Sequence, residues 1–447
     1  MLGCQVDARG LDAPPEARRP LDTELDANAA LATTERVNVS WMLGCQVDTG
    51  GLDAPPEARR PLDTKLDANA ALATMERVND AFMAKWPSPG DAIVVKREVL
   101  PGNSWSRAVY FEGLMALAAV DPKPAYDDYA EAWAESHAWQ LGAASTTPTR
   151  FADDQCAAQT YLELHARRPE DGARIAAVEA SVDAMVTSTK VDDWTWIDAI
   201  QMAMPVFARL GTLRGDARIF DKMNALYTYA RDTAGGHGLY DPDAHLWWRD
   251  AKFTPPYAEP NGASCYWARG NGWVYAGLAR VLDVLPRDEP HRAAYEADFV
   301  AMSESLRTLR RDDGFWNVSL HDPTHFGGKE LSGTSLFVYG MAWGIRHGLL
   351  SETVYRPLVV GSWNAMVTEA VHPDGVLGYA QGRAAGPSDG QPVTRDSTPN
   401  LDDFGVGCFL LAGSAVVGLA GRSATGDYPV ASGGGCAGSV GSPALRR

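Results

Sequence analysis

The chain has 447 residues, a net charge of −17 and 45% hydrophobic residues, which is enough to bury a large globular core. The acidic balance argues against a nucleic-acid partner, because phosphate binding needs a basic patch. It does not exclude a small anionic substrate, since a few Arg or Lys residues reverse the local charge inside a cleft.

Two of the six cysteines lie in a duplicated segment, and the other four are expected to be free thiols of a reducing compartment. They form no CxxC pair, and no Cys/His spacing suits zinc, so no metal site is predicted. No apolar stretch is expected to span a membrane, and no signal peptide is apparent. We therefore expect a cytoplasmic protein without a membrane partner, or a periplasmic one if a signal sequence lies upstream. The sequence does not indicate an oligomeric state.

The start of the chain is duplicated, because residues 1–38 recur as residues 42–79 with few changes. Only two copies exist, so the pattern does not predict a repeat array. We predict a poorly ordered segment over 1–61, a folded domain over 62–420 and a disordered tail over 421–447, which is rich in Gly, Ser and Ala.

Apolar residues at helical spacing predict twelve helices in this domain. The predicted helices cover residues 65–85, 107–120, 124–140, 153–167, 171–188, 195–210, 216–234, 270–285, 290–310, 332–349, 352–371 and 402–420. Short β pieces are predicted only within 239–248 and 314–320. Twelve helices make six hairpins.

A weak internal resemblance favours a closed ring of these hairpins. Val-Tyr pairs near Gly residues open three helices, at Val109, Val274 and Val338. The pattern predicts an all-α fold, an (α/α)6 barrel with apolar inner helices and amphipathic outer ones. The loops 235–269 and 384–400 are too long for simple connections, so we expect them to form the site at one rim.

Asp198 is the first candidate for chemistry, because it lies within an otherwise apolar helix beside Trp196. If its side chain faces inward, loss of solvation raises the pKa and favours the protonated form that a general acid needs. If it faces outward, it is a solvated surface residue. Periodicity alone does not separate the two.

Asp153 and Asp154 open an earlier helix. Acidic residues at this position commonly cap free backbone amides. Alternatively, two nearby carboxylates let one hold the other in its required protonation state.

A third segment places Arg269 between Trp267 and Trp273 with Gly spacers. A guanidinium binds a carboxylate through two hydrogen bonds, while flat rings pack on sugar faces. Trp316 and Thr334 lie in later loops that can supply further stacking and hydroxyl contacts.

Five segments in this order resemble the unsaturated glucuronyl and rhamnogalacturonyl hydrolases of glycoside hydrolase families 88 and 105. They read ADDQCAAQTYLEL, DDWTWIDAIQMAMPVFA, CYWARGNGWV, DGFWNVSLHDP and SGTSLFVYGMAWGI. The resemblance covers about residues 68–419 and implies an (α/α)6 barrel with neither a metal nor an organic cofactor. It implies a small oligosaccharide substrate, namely a pectin-derived fragment ending in a Δ4,5-unsaturated uronic acid.

The resemblance also implies roles for individual residues. Asp198 matches the family's proton donor, which protonates C4 of the double bond before water attacks C5. Asp153 matches the second acid by its spacing to a small residue, although the adjacent Asp154 stays an alternative. Arg269 and its two neighbouring tryptophans match the segment that lines the site.

One stretch departs from the family. Relatives often carry a His in a Tyr-His-x-Trp-Asp stretch, where this chain has Trp248 and Arg249 and no His in register. These two residues, with Trp196, complete the candidate substrate-binding set, and fine substrate selectivity is left open.

Two other classes stay open on the same barrel. An N-acyl sugar epimerase or a cellulase-like hydrolase is one, although epimerases depend on paired His bases and none of the nine His falls in these motifs. A carbohydrate-binding toroid is the other. It would keep the tryptophans but would not need a buried Asp198.

Overall fold

The computed structural model of the protein describes residues 61–95, 98–142, 148–397 and 403–420. These residues belong to a compact unit that begins at Arg60. Apart from Pro61, the predicted terminal segments 1–61 and 421–447 lie outside the described residues. Their predicted lack of order therefore stays a prediction.

Thirteen α-helices make up most of the described chain. They are α1 (Ala68–Lys85), α2 (Trp105–Val120), α3 (Pro124–Ser136), α4 (Ala152–Gln155), α5 (Ala157–Arg167), α6 (Ala176–Val186), α7 (Asp198–Arg214), α8 (Ala217–Asp232), α9 (Ala268–Val284), α10 (Arg292–Thr308), α11 (Leu331–Arg346), α12 (Glu352–Glu369) and α13 (Asp403–Ala420). Two antiparallel pairs complete it, β1 (Ile93–Val95) with β2 (Glu98–Leu100) and β3 (Tyr240–Asp241) with β4 (Leu246–Trp247).

Six of these helices form a closed inner ring. Its order is α2, α5, α7, α9, α11 and α13, and α13 packs against α2 to complete the circle. Helices α1, α8 and α10 each pack on the outside of one ring helix, α3 and α12 each pack against two, and α6 packs against α8. This arrangement confirms the predicted all-α (α/α)6 barrel.

The ring closes where α2 and α13 approach each other closely. A Cβ on Gly113 would lie 2.4 Å from the Gly407 carbonyl oxygen, so only glycine permits this separation. Next to this contact, Arg107 of α2 forms a fully buried ion pair with Asp403 of α13. The first and last inner helices are therefore joined by both packing and charge.

Helix α13 corrects the expectation that no stretch is apolar enough to cross a membrane. By length and composition alone this helix is, with a mean hydropathy of 1.8. However, 83% of its residues are buried inside the described structure, where it packs against α1, α2 and α11. A core helix of a soluble protein has the same composition.

The remaining differences from the sequence are local. The helix predicted over 153–167 is broken at Cys156 into α4 and α5. The predicted β piece 314–320 makes only isolated bridges to other loops, and the hairpin of β1 and β2 was not predicted. Its strands have three residues each, which is too short for alternation to be recognised.

Gly113→Ala should lower the free energy of unfolding by about 1–3 kcal/mol, because the added methyl group forces α2 away from α13. Denaturant unfolding followed by circular dichroism measures this. Gly172→Ala is the matched control, since its Cβ would meet nothing within 4 Å, and it should stay within about 0.5 kcal/mol of the parent. Equal stability of both variants would contradict the tight closure.

Candidate active site

The N-terminal ends of α2, α7 and α9, together with the short helix α4 and two loops, surround a cavity of about 370 Å³. It is lined by Trp105, Asp153, Trp196, Asp198, Met202, Arg249, Trp267, Arg269, Trp273, Arg383, Ala384, Ala385 and Asp389. Helix N-termini carry partial positive charge and free amides, which attract anions. A cavity with this rim, arginines and flat aromatic walls suits an acidic sugar.

Asp198 faces inward, as the general-acid interpretation requires. It is the first residue of α7 and only 8% exposed, and its Oδ2 accepts a hydrogen bond from Arg249 Nε at 3.0 Å. The backbone holds this pair together, because Ile197 N donates to the Arg249 carbonyl oxygen at 3.0 Å. Burial raises the pKa of Asp198, while Arg249 and Arg269 act in the opposite direction.

Asp153 lines the same cavity from the short helix α4. Burial and, to a lesser extent, the nearby charge of Asp198 raise its pKa to about 7, although Arg249 acts in the opposite direction. Two carboxylates that repel each other in a poorly solvated site do not both ionise at once. The pair therefore holds one proton close to neutral pH.

The structure distinguishes the two adjacent acids that the sequence could not. Asp154 is not among the cavity-lining residues. Its Oδ2 accepts a hydrogen bond from Thr149 Oγ1 at 2.9 Å, and its side chain lies against Gly142. Of the two, Asp153 has the position that a second acid needs.

Arg269 is placed differently from the prediction of a carboxylate clamp. It is 1% exposed, lies 4.6 Å from the rings of both Trp267 and Phe404, and donates at 2.8 Å to the carbonyl oxygens of Gln381 and Gly382. Both terminal nitrogens of Arg269 thus donate to the protein backbone, whereas its Nε is buried without a hydrogen-bond partner. It fixes the loop that follows as one wall of the cavity.

Gln381 organises that wall and was not found from the sequence. Its side chain accepts from Trp267 Nε1 at 2.7 Å and donates to the Asp389 carbonyl oxygen at 2.7 Å. The segment between them brings Arg383 and Asp389 to the cavity. The predicted site-forming loop 384–400 pointed to this region but began one residue too late to include Arg383.

Three of the predicted tryptophans line the cavity, namely Trp196, Trp267 and Trp273. A fourth, Trp105, was missed. It begins α2 and stacks on Phe404 with ring centroids 5.3 Å apart. The signal was available, because the Ser-Trp-Ser-Arg stretch precedes one of the Val-Tyr pairs noted in the sequence.

Three other predicted contact residues lie away from the cavity. Trp248 stacks on Tyr266, with ring centroids 6.0 Å apart. Trp316 is fully buried and donates from Nε1 to a carbonyl oxygen of α10, while Thr334 accepts from its backbone amide at 3.1 Å. All three serve packing, because their polar groups or rings meet the protein interior.

The missing family His has no substitute at the cavity. None of the residues that line it is a His, and His245 bonds Tyr240 instead. Arg249 occupies the place beside Asp198. Within the described residues, no group of three or more His, Cys, Asp or Glu side chains could hold a metal ion.

Residues 74–419 match the family model described as Glycosyl Hydrolase Family 88. The chain belongs to this family. The match confirms the resemblance read from the five segments and the glycoside hydrolase class.

Curated and solved members agree with that assignment. The unsaturated 3S-rhamnoglycuronyl hydrolase of Formosa agariphila is 36% identical over 51% of this chain, which spans 58% of that relative's length. A protein of the same name from an Alteromonas species is 28% identical over 70% of this chain and 77% of its own. A family 88 structure from Bacteroides vulgatus covers 79% of this chain and 99% of its own at 31% identity and a TM-score of 0.71. A structure described as a polysaccharide lyase matches equally well, with 79% and 98% coverage.

Asp153→Asn should change the dependence of stability on pH. The raised pKa means that the folded protein binds this proton more tightly than the unfolded chain does. The free energy of unfolding therefore falls as the pH rises towards and through about 7. An amide cannot ionise. The unfolding temperature of the variant minus that of the parent should therefore increase between about pH 5 and about pH 8.5.

Differential scanning calorimetry at several pH values measures this difference. The exposed Asp221→Asn variant is the control and should show no such trend. A flat difference for Asp153→Asn would contradict the buried, proton-binding carboxyl.

Proposed function

We propose that this protein removes a terminal Δ4,5-unsaturated uronic acid from oligosaccharides that polysaccharide lyases release. The family assignment and the two rhamnoglycuronyl hydrolase relatives support the class of reaction. One observation carries the mechanism. Two carboxyl groups, Asp153 and Asp198, share a cavity of tryptophans and arginines that is built to retain a proton.

The reaction uses the double bond of the substrate, because the C4=C5 unit is an enol ether and accepts a proton at C4. Asp198 donates that proton, and the positive charge spreads over C5 and the ring oxygen. Water then attacks C5 and returns a proton to Asp198. The resulting hemiketal opens, and its rearrangement releases the neighbouring sugar. This is general acid catalysis without a nucleophile at the anomeric carbon, so the carboxylate-separation rule for ordinary glycosidases does not apply.

Arg249 donates to Asp198 and stabilises its charged form, which favours the shared proton on Asp153. A uronic acid brings its own carboxylate into the cavity that Asp198 lines. This added negative charge raises the proton affinity of Asp198. Substrate binding thus moves the proton to the acid that donates it.

We assign orientation of the substrate carboxylate to Arg383. The terminal nitrogens of Arg269 donate to backbone carbonyl oxygens, and Arg249 already donates to Asp198 and Asp250. Arg383 lines the cavity and pairs with Glu98 at 2.6 Å, with about half of each side chain exposed. An exposed ion pair contributes little and exchanges easily. This guanidinium therefore turns to a buried anionic ligand at small cost.

For the leaving sugar we propose rhamnose, as in fragments of rhamnogalacturonan. The names of both curated relatives contain a rhamnose–uronic acid unit. A screen of Δ4,5-unsaturated disaccharides with different reducing-end sugars tests this. Faster turnover with a leaving sugar other than rhamnose would instead indicate an unsaturated glucuronyl hydrolase that acts on other lyase products.

Asp198→Asn should fold normally and lose turnover by about 10²-fold or more. The assay follows the ultraviolet absorbance of the conjugated double bond, which falls as an unsaturated substrate is hydrated. Asp192→Asn, an exposed change in the same segment, is the matched control. Near-normal activity of the Asp198 variant would refute the role of this residue.

The same assay separates the competing classes. A rise in absorbance with an intact polysaccharide would indicate a lyase. An unchanged signal together with sugar binding would indicate a carbohydrate-binding toroid.

Arg383→Gln should raise KM by about tenfold with a smaller effect on kcat, because it removes one charge-assisted hydrogen bond to the substrate. Steady-state kinetics on the unsaturated disaccharide measures this change. Glu98→Gln is the control, since it removes the partner and leaves the guanidinium in place. An unchanged KM for Arg383→Gln would return the carboxylate to one of the other two arginines.

A further inference from the structure

A buried carboxylate lies inside the ring, deeper than the cavity. Glu112 is 1% exposed and stands seven residues after Trp105 on α2. Its Oε1 accepts hydrogen bonds from Cys156 Sγ at 3.3 Å and Gln159 Nε2 at 3.0 Å, and its Oε2 accepts from Gln201 Nε2 at 2.7 Å. Gln159 lies on α5, Gln201 lies on α7, and Cys156 lies at the break between α4 and α5.

The position of these donors relative to the two acids is specific. Cys156 follows Asp153 by three residues, at the break between α4 and α5. Gln201 follows Asp198 by three residues, one turn into α7. A single side chain from α2 is therefore hydrogen-bonded to both backbone segments that carry the acids.

Burying this carboxylate costs free energy, because the charged group loses its solvation. Arg280 is the nearest cation, with its Nε 3.6 Å from Glu112 Oε2, and that nitrogen donates to Gln159 Oε1 at 2.8 Å. Burial raises the pKa of Glu112 to about 7, so the cation does not fully offset the loss of solvation. Apolar side chains of similar volume usually fill such a position at lower cost. Directed hydrogen bonds are what an apolar side chain cannot supply.

We propose that Glu112 is a positioning residue, which sets the separation and orientation of Asp153 and Asp198 by holding Cys156 and Gln201. It touches neither the substrate nor the reacting atoms. Its effect on turnover rests on the proposed function, whereas its effect on geometry does not. Reacting groups tolerate little displacement, since a shift of about 1 Å costs on the order of 100-fold in rate.

Glu112→Met removes all three hydrogen bonds and keeps the volume. It should lower kcat by roughly 10- to 100-fold and leave KM nearly unchanged, because the walls that bind the sugar stay in place. Glu112→Gln should retain most of the parent kcat. Gln201 Oε1 is buried without a hydrogen-bond partner, so its amide can rotate and accept from the new amide group.

A second variant, Gln201→Met, keeps the proposal testable if Glu112→Met does not fold. It cuts only the hydrogen bond to α7 and should also lower kcat more than it raises KM. Tyr275→Phe is the matched control. It removes an equally buried hydrogen bond to Ser303, 2.6 Å long, and should reduce thermal stability without changing kcat.

Rescue by Gln together with loss in Met is the expected pattern. A folded Glu112→Met with the parent kcat would overturn the proposal, as would equal losses of kcat in Glu112→Met and Glu112→Gln. Crystal structures of the parent and Gln201→Met supply a readout without substrate, and an unchanged Asp153–Asp198 separation would also overturn it. A parent enzyme inactive on every unsaturated uronyl substrate would refute only the proposed function.

Discussion

The site depends on keeping carboxyl groups out of water without leaving them uncompensated. Burial alone favours the neutral form, whereas helix N-termini and guanidinium groups favour the charged form. These opposing effects leave the pKa of Asp153 at about 7 and raise the pKa of Asp198 above its usual value. The closed ring provides this balance, because the N-terminal ends of α2, α7 and α9 meet at one cavity together with the short helix α4.

The three arginines of the cavity have different roles. Arg269 is the most buried, and it builds the wall by holding the carbonyl oxygens of the loop after α12. Arg249 sets the charge on the acid, and Arg383 remains at the mouth beside an exposed partner. Their exposure rises in the same order, from 1% for Arg269 to 23% for the side chain of Arg249 and 42% for that of Arg383. A count of cationic residues would miss this division, since only the hydrogen-bond partners reveal it.

Much of the architecture was readable because inner helices are apolar on nearly every side and their segments carry recognisable motifs. Asp198 was found because it is a carboxylate within an otherwise apolar predicted helix, and Trp267 because it belongs to a recognisable Trp-x-Arg segment. Arg383 and Gln381 were not, because they lie in an irregular loop whose path is set by tertiary hydrogen bonds rather than by periodicity. Trp316 and Thr334 were misplaced because sequence does not show whether an aromatic or hydroxyl group meets a ligand or a backbone amide.

The contact between Gly113 and Gly407 joins helices almost three hundred residues apart in the chain. During synthesis, α2 emerges early with one apolar face that has no neighbour until α13 follows. The most apolar helix of the described residues is therefore also the last of these helices to leave the ribosome. Intermediates in which the circle is still open expose both surfaces, so aggregation competes with folding at that stage. A chaperone that shields apolar segments would act on this protein most strongly just before the circle is completed.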